Sequence, residues 1–187
     1  MLTITIPGGE FYDEENERFF ETKGKTIVIE HSLVSISKWE SKWKKPFIET
    51  LNNWSKNPES INMDEILDYI RCMTLTQNVD PVVYRTISAQ TINDIFEYMN
   101  DPMTATWFRN EEHNKKGEVV TSELVYYWMT ALNIPFECKK WHFNRLMVLI
   151  RIASEKNQPP KKMNKNNILK QNRSLNAQRR ARMRSRG

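Results

Sequence analysis

The chain has 187 residues, 28 Lys and Arg against 23 Asp and Glu, 39% hydrophobic residues, five Gly and two Cys. That length suits one domain with an appendage, and two cysteines are too few for a secreted disulfide framework. The overall +5 conceals a split: eleven of the basic residues and no acid lie from Lys156 onward, so residues 1–155 carry −6 and residues 156–187 carry +11.

Residues 2–6 alternate as Leu-Thr-Ile-Thr-Ile and residues 26–30 read Thr-Ile-Val-Ile-Glu, two β-rich runs with a Lys23-Gly24 turn signal ahead of the second. Phe11-Tyr12 and Phe19-Phe20 are placed to pair across the polar segment 13–18 as a further hairpin, so residues 1–31 are expected to form a small antiparallel sheet. The N-terminus has neither the basic region nor the apolar run of a signal peptide, which points to a soluble protein of a reducing cytoplasm.

From Ser32 the period becomes helical. Ser37 and Glu40 have capping-box spacing, and Ile36, Trp39, Trp43 and Phe47 follow three or four apart until Pro46 limits the helix. Asn62 heads a second helix whose Met63, Ile66, Leu67, Ile70 and Met73 form an apolar stripe with Asp64 and Asp68 outside it. Asp80-Pro81 supplies an N-cap and a first-turn proline. Ile92, Ile95, Phe96 and Met99 mark the next stripe, which Asp101-Pro102 ends. The charged loop 109–117 reads as exposed.

Thr121 or Ser122 caps a helix through about Leu132 whose sparse polar face makes it the expected central element. Pro135 opens another of roughly 18 residues, about 27 Å at 1.5 Å per residue. The short Asn133-Ile134 link predicts that these two helices pack as a hairpin. Pro135, Glu137, Lys139, Lys140 and Arg145 interrupt the most apolar stretch, so no bilayer span is expected. Beyond Ser154 the apolar pattern thins, Pro159-Pro160 blocks simple continuation, and the remainder is polar and basic. The expected fold is therefore α+β: one domain over residues 1–155, β-rich in 1–31 and helical in 32–155, followed by a flexible basic C-terminal arm over 156–187 without fixed structure.

Catalytic and cofactor signatures are weak. Glycines are too scattered for a P-loop or dinucleotide fingerprint, so no cofactor is expected. Cys138 and His142, four apart on the predicted helix, suggest a metal pair with Cys72 or His31 as third ligand, but a packed Cys and a hydrogen-bonded His weigh more, and no metal is expected. The same Cys and His show no orienting partner for nucleophilic catalysis. Glu123 and Glu137 are better explained as complements to helix dipoles than as general acids. The arm has more substance: Arg179, Arg180, Arg182, Arg184 and Arg186 suit either nucleic-acid phosphates or an acidic protein surface, and the absence of aromatic residues from the arm favours protein.

Several phrases carry a resemblance: residues 31–43 (His-Ser-Leu-Val-Ser-Ile-Ser-Lys-Trp-Glu-Ser-Lys-Trp), 68–81 (Asp-Tyr-Ile-Arg-Cys-Met-Thr-Leu-Thr-Gln-Asn-Val-Asp-Pro) and 101–107 (Asp-Pro-Met-Thr-Ala-Thr-Trp). To these add 126–138 (Tyr-Tyr-Trp-Met-Thr-Ala-Leu-Asn-Ile-Pro-Phe-Glu-Cys), 140–146 (Lys-Trp-His-Phe-Asn-Arg-Leu) and 157–163 (Asn-Gln-Pro-Pro-Lys-Lys-Met). Together they resemble small late-morphogenesis proteins of tailed bacteriophages, the tail assembly chaperones. The resemblance implies a non-enzymatic protein of the host cytoplasm, absent from the mature virion, that binds the tape-measure protein and helps recruit tail-tube subunits. Aromatic anchors dominate interface energies, so exposed members of Trp39, Trp43, Trp54 and Trp107 become candidate partner contacts; Trp39 and Trp43 read as core, leaving Trp54 and Trp107. The alternatives are a phage nucleic-acid-binding protein acting through the arginine arm and a structural tail or connector subunit.

Overall fold

The computed structural model describes residues 1–13, 17–57, 59, 61–106, 119–157 and 165–183. The fold is α+β, dominated by helices, with an antiparallel ribbon at the N-terminus. Contacts divide the chain into two compact units, Met1–Ala153 and Ser154–Gly187.

Strands β1 (Leu2–Ile6) and β4 (Lys25–Ile29) pair antiparallel, as do β2 (Gly9–Asp13) and β3 (Arg18–Thr22). Leu2 faces Ile29, Ile6 faces Lys25, Gly9 faces Thr22 and Asp13 faces Arg18, so one register runs through both pairs. They are the base and tip of a single long ribbon. Pro7, which has no N–H to give the ladder, interrupts it. Gly8 and Gly24 let the two strands crowd together there: a Cβ on Gly8 would lie 2.5 Å from the Gly24 amide nitrogen. Alternation decides the base, where Ile4, Ile6, Ile27 and Ile29 are buried while Thr3, Thr5 and Thr26 face outward. The far edge of β4 is covered by the chain at residues 75–76, through Leu75 N–H to Val28 O (2.8 Å) and Val28 N–H to Thr76 Oγ1 (2.9 Å).

Helix α1 (Leu33–Trp43) starts five residues earlier than the Ser37–Glu40 spacing implies. Its N-cap is Ser32, in a reciprocal box with Ser35: Ser32 N–H donates to Ser35 Oγ at 3.0 Å and Ser35 N–H to Ser32 Oγ at 3.4 Å. Lys44, at φ 56, ends the helix before Pro46, so Phe47 belongs to α2 (Phe47–Lys56). Glu40, near the C-terminal end of α1, takes a different role. Its Oε1 accepts the N–H of Phe47 at 2.9 Å and its Oε2 accepts the N–H of Ser122 at 2.8 Å. One buried carboxylate thereby holds the first amide of two further helices, where a negative charge also meets both positive dipole ends.

Helix α3 (Met63–Met73) is capped by Asn62, whose Oδ1 accepts from Asp64 N–H. Its buried face is Glu65, Ile66, Tyr69, Ile70 and Met73, whereas Met63, expected on the stripe, is half exposed. Asp80 and Pro81 start α4 (Pro81–Arg85) as expected, but the helix stops at Thr86, and Ser88 caps a separate α5 (Ala89–Asn100). Thr121 caps α6 (Ser122–Ala131).

Between α6 and α7 (Phe143–Asn157) a 3-10 helix, Phe136–Lys140, replaces the first turns of the long helix predicted from Pro135. Pro135 removes a donor, Trp141 is extended, and Phe143 N–H bonds to His31 O at 2.8 Å, which sets where α7 begins. The hub is α1 rather than the expected α6: α1 packs against α2, α3, α6 and the 3-10 helix, with Leu33, Ile36 and Trp39 at its centre.

The basic arm, expected as chain without fixed structure, carries helix α8 (Lys165–Met183). Leu, Lys, Gln, Arg, Ala and Met dominate it and Gly and Pro are absent, which suffices locally for helix. Its described side chains are all exposed, including Leu169 and Leu175. Pro159-Pro160 and the loop 109–117 lie outside the described residues.

Replacing Glu40 with Ala leaves two buried amides without an acceptor, and at roughly 1–3 kcal/mol each the loss should be about 4 kcal/mol. Glu40→Gln keeps one good acceptor and should lose about half as much. Urea unfolding followed by Trp fluorescence measures both, and equal, small losses would remove this role from Glu40.

Candidate functional site

Three helices frame an open cleft of about 400 Å³: α1 supplies Lys42 and Trp43, α3 supplies Asp64, Leu67, Asp68 and Arg71, and α4 supplies Pro81, Tyr84 and Arg85. Its apolar parts are Trp43, Leu67, Pro81 and the mostly buried Tyr84; charges of both signs line the rest. Trp43 is held in place by its indole N–H, which donates to Asp68 Oδ2 at 2.9 Å. Lys42 pairs with Asp68 Oδ1, and the Lys42 and Lys45 ammonium groups lie 5.7 and 6.0 Å from the Trp43 ring centroid. A fixed aromatic ring with a cationic collar and a neighbouring leucine is suited to an apolar side chain flanked by polar ones, the form an amphipathic helix presents.

A second constellation lies in the interior. His31 Nδ1 is 2.6 Å from the Tyr69 hydroxyl, and the His31 and His142 rings meet edge to face at 5.2 Å between centroids. The contact of His142 Nε2 with the Tyr98 carbonyl oxygen, at 3.1 Å, requires Nε2 to carry the proton. Its Nδ1 is then a bare acceptor with no partner among the described residues. Tyr98 donates its phenol hydrogen to Glu30 Oε1 at 2.7 Å. Burial, and secondarily the neighbouring His142, lowers the His31 pKa to about 3; burial also lowers that of His142. Burial raises both Tyr69 and Tyr98. Both imidazoles are thus neutral near pH 7.

The cysteines are poor nucleophiles. Burial raises the Cys72 thiol to about 11 and raises Cys138 as well, so both are protonated at neutral pH. Cys138 sits on the 3-10 helix and His142 beyond the extended Trp141, so the two do not share a helix face. Among the described residues no three His, Cys, Asp or Glu side chains come together as metal ligands. No helix among them is long and apolar enough to cross a membrane.

The residues expected as partner contacts separate. Trp54 is not a surface anchor: it is 5% exposed, with its ring edge-on to Trp39 and Phe47 at 6.4 Å from each. Trp107, Arg184 and Arg186 lie outside the described residues. Arg179, Arg180 and Arg182 lie on α8, all exposed. Sequence reasoning placed Trp43 in the core and gave Asp68 no task, because the bond joining them crosses 25 residues of chain. The available signal was Asp68 standing one turn before Arg71 on the polar side of an amphipathic helix.

Comparison with protein-family models, with curated proteins and with solved structures finds no match.

The buried histidines give stability a defined pH dependence. His31 binds a proton less readily folded than unfolded, so its contribution is intact above about pH 6.5, the unfolded value, and is lost as pH falls toward its folded pKa of about 3. Urea midpoints should therefore fall between pH 6.5 and 5, before most carboxylates titrate, and His31→Gln should flatten that fall.

Proposed function

We propose that this chain is a non-enzymatic assembly chaperone of a tailed bacteriophage. It acts in the host cytoplasm, receives an apolar helical stripe of the tape-measure protein in the cleft of α1, α3 and α4, assists tail-tube assembly and leaves before the virion is complete. Supporting this reading is the cleft itself, with Trp43 pinned by Asp68 next to Leu67 and framed by Lys42, Arg71 and Arg85. A ring fixed before the partner arrives loses little entropy on binding, which is what an aromatic anchor requires. The phage-like phrases supply the partner's identity, and two of them, residues 31–43 and 68–81, hold Trp43, Asp68, Arg71 and Pro81 of the cleft.

A second reading, contact with nucleic acid, is favoured by the exposed Lys170, Arg173, Arg179, Arg180 and Arg182 on an acid-free helix. Binding to RNA or duplex DNA that falls steeply with salt and disappears in an Arg179→Ala, Arg180→Ala, Arg182→Ala variant would support it.

Co-expressed with a tape-measure protein from the same phage, the chain should co-purify with it, and Trp43→Ala with Leu67→Ala should weaken the complex by about tenfold or more. Undiminished binding by that variant, or none by the wild type, would overturn the proposal.

A further inference from the structure

The tip of the ribbon is acidic as well as aromatic. Residues 9–22 hold six carboxylates against Arg18 alone, a net −5. Glu10 stands directly opposite Glu21 in the ladder, both exposed. Two like charges facing across a strand pair destabilise it. Beside them Tyr12 and Phe19, also paired, lie with centroids 4.9 Å apart and are 51% and 68% exposed. Large exposed rings next to two facing carboxylates form a surface suited to a cation: carboxylates for the charge, ring faces for a guanidinium.

The same chain carries the complement. Helix α8 has six Lys and Arg and no acid over 19 residues, a cationic rod about 28 Å long. Arg173 and Arg180, seven residues apart, share one side of it. The helix lacks an aromatic residue on which a nucleic-acid base could stack, so an acidic partner with its own rings supplies what α8 lacks. We propose that α8 of one copy docks on the β2–β3 tip of a second copy, with Arg side chains over Tyr12 and Phe19 and against Glu10 and Glu21. Every copy offers both surfaces, so a two-fold pair makes the contact twice. Charge complementarity carries this assignment, and the association is separate from any role in tail assembly.

The test uses the full chain in sedimentation equilibrium. The wild type should be a concentration-dependent dimer in about 50 mM salt and dissociate at about 500 mM, where the screening length falls to a few Å. Glu10→Lys with Glu21→Lys, and separately Arg179→Glu with Arg180→Glu, should each weaken self-association at least about tenfold. Mixed in equal amounts, these two variants should form a heterodimer, because each then meets the opposite sign in both contacts. Circular dichroism confirms that each remains folded, and Tyr12→Ser with Phe19→Ser should weaken the dimer without changing charge. A wild type that stays monomeric at low salt overturns the proposal, as docking within one chain would require. So does a dimer indifferent to both swaps, or swapped variants that fail to associate when mixed; RNA binding by α8 with no self-association would hand that helix to the other partner.

Discussion

The body depends on one carboxylate. Glu40 leaves α1 near its end and binds the first amide of α2 with one oxygen and the first amide of α6 with the other, joining segments 7 and 82 residues away. Fixing Phe47 in this way places its ring on Tyr69, stacked at 3.9 Å, and Tyr69 in turn reaches His31. Two and three residues beyond Glu40 along α1, Lys42 and Trp43 face the cleft. The cleft's aromatic wall therefore inherits its position from an anchor in the core one turn away.

The two histidines tie a different set of elements. His31 lies two residues beyond the end of β4, its carbonyl receives the first amide of α7, and His142 reaches the carbonyl of Tyr98 on α5. Polar groups bonded in a buried interior fix one arrangement where apolar packing would tolerate several. Within this set the Nδ1 of His142 is a buried acceptor that bonds none of the described residues.

What was legible in the chain followed from how local each determinant is. The ribbon was readable because β-branched alternation and the Phe-Tyr and Phe-Phe pairs state both strands and their partner. Asn62, Asp80 and Thr121 declared helix starts because their oxygens bond amides two or three residues away. Glu40 misled because its spacing from Ser37 satisfies a local rule while its partners are distant. The helix breaks at Lys44 and Thr86 were hidden for a related reason: neither residue is a strong breaker, and tertiary packing decides there. The cleft was the least legible part, since Trp43, Asp68 and Tyr84 meet only after three helices have packed.

The crowding of Gly8 against Gly24 has a consequence for strand alignment. A slip that put Pro7 in the place of Gly8, or Lys23 or Lys25 in the place of Gly24, would bring a side chain to a position with no room beyond hydrogen. The same slip would turn Ile4 and Ile6 out of the core. Space at the kink and burial at the base thus reject the same error independently, and two of only five glycines act as a register lock for the whole ribbon.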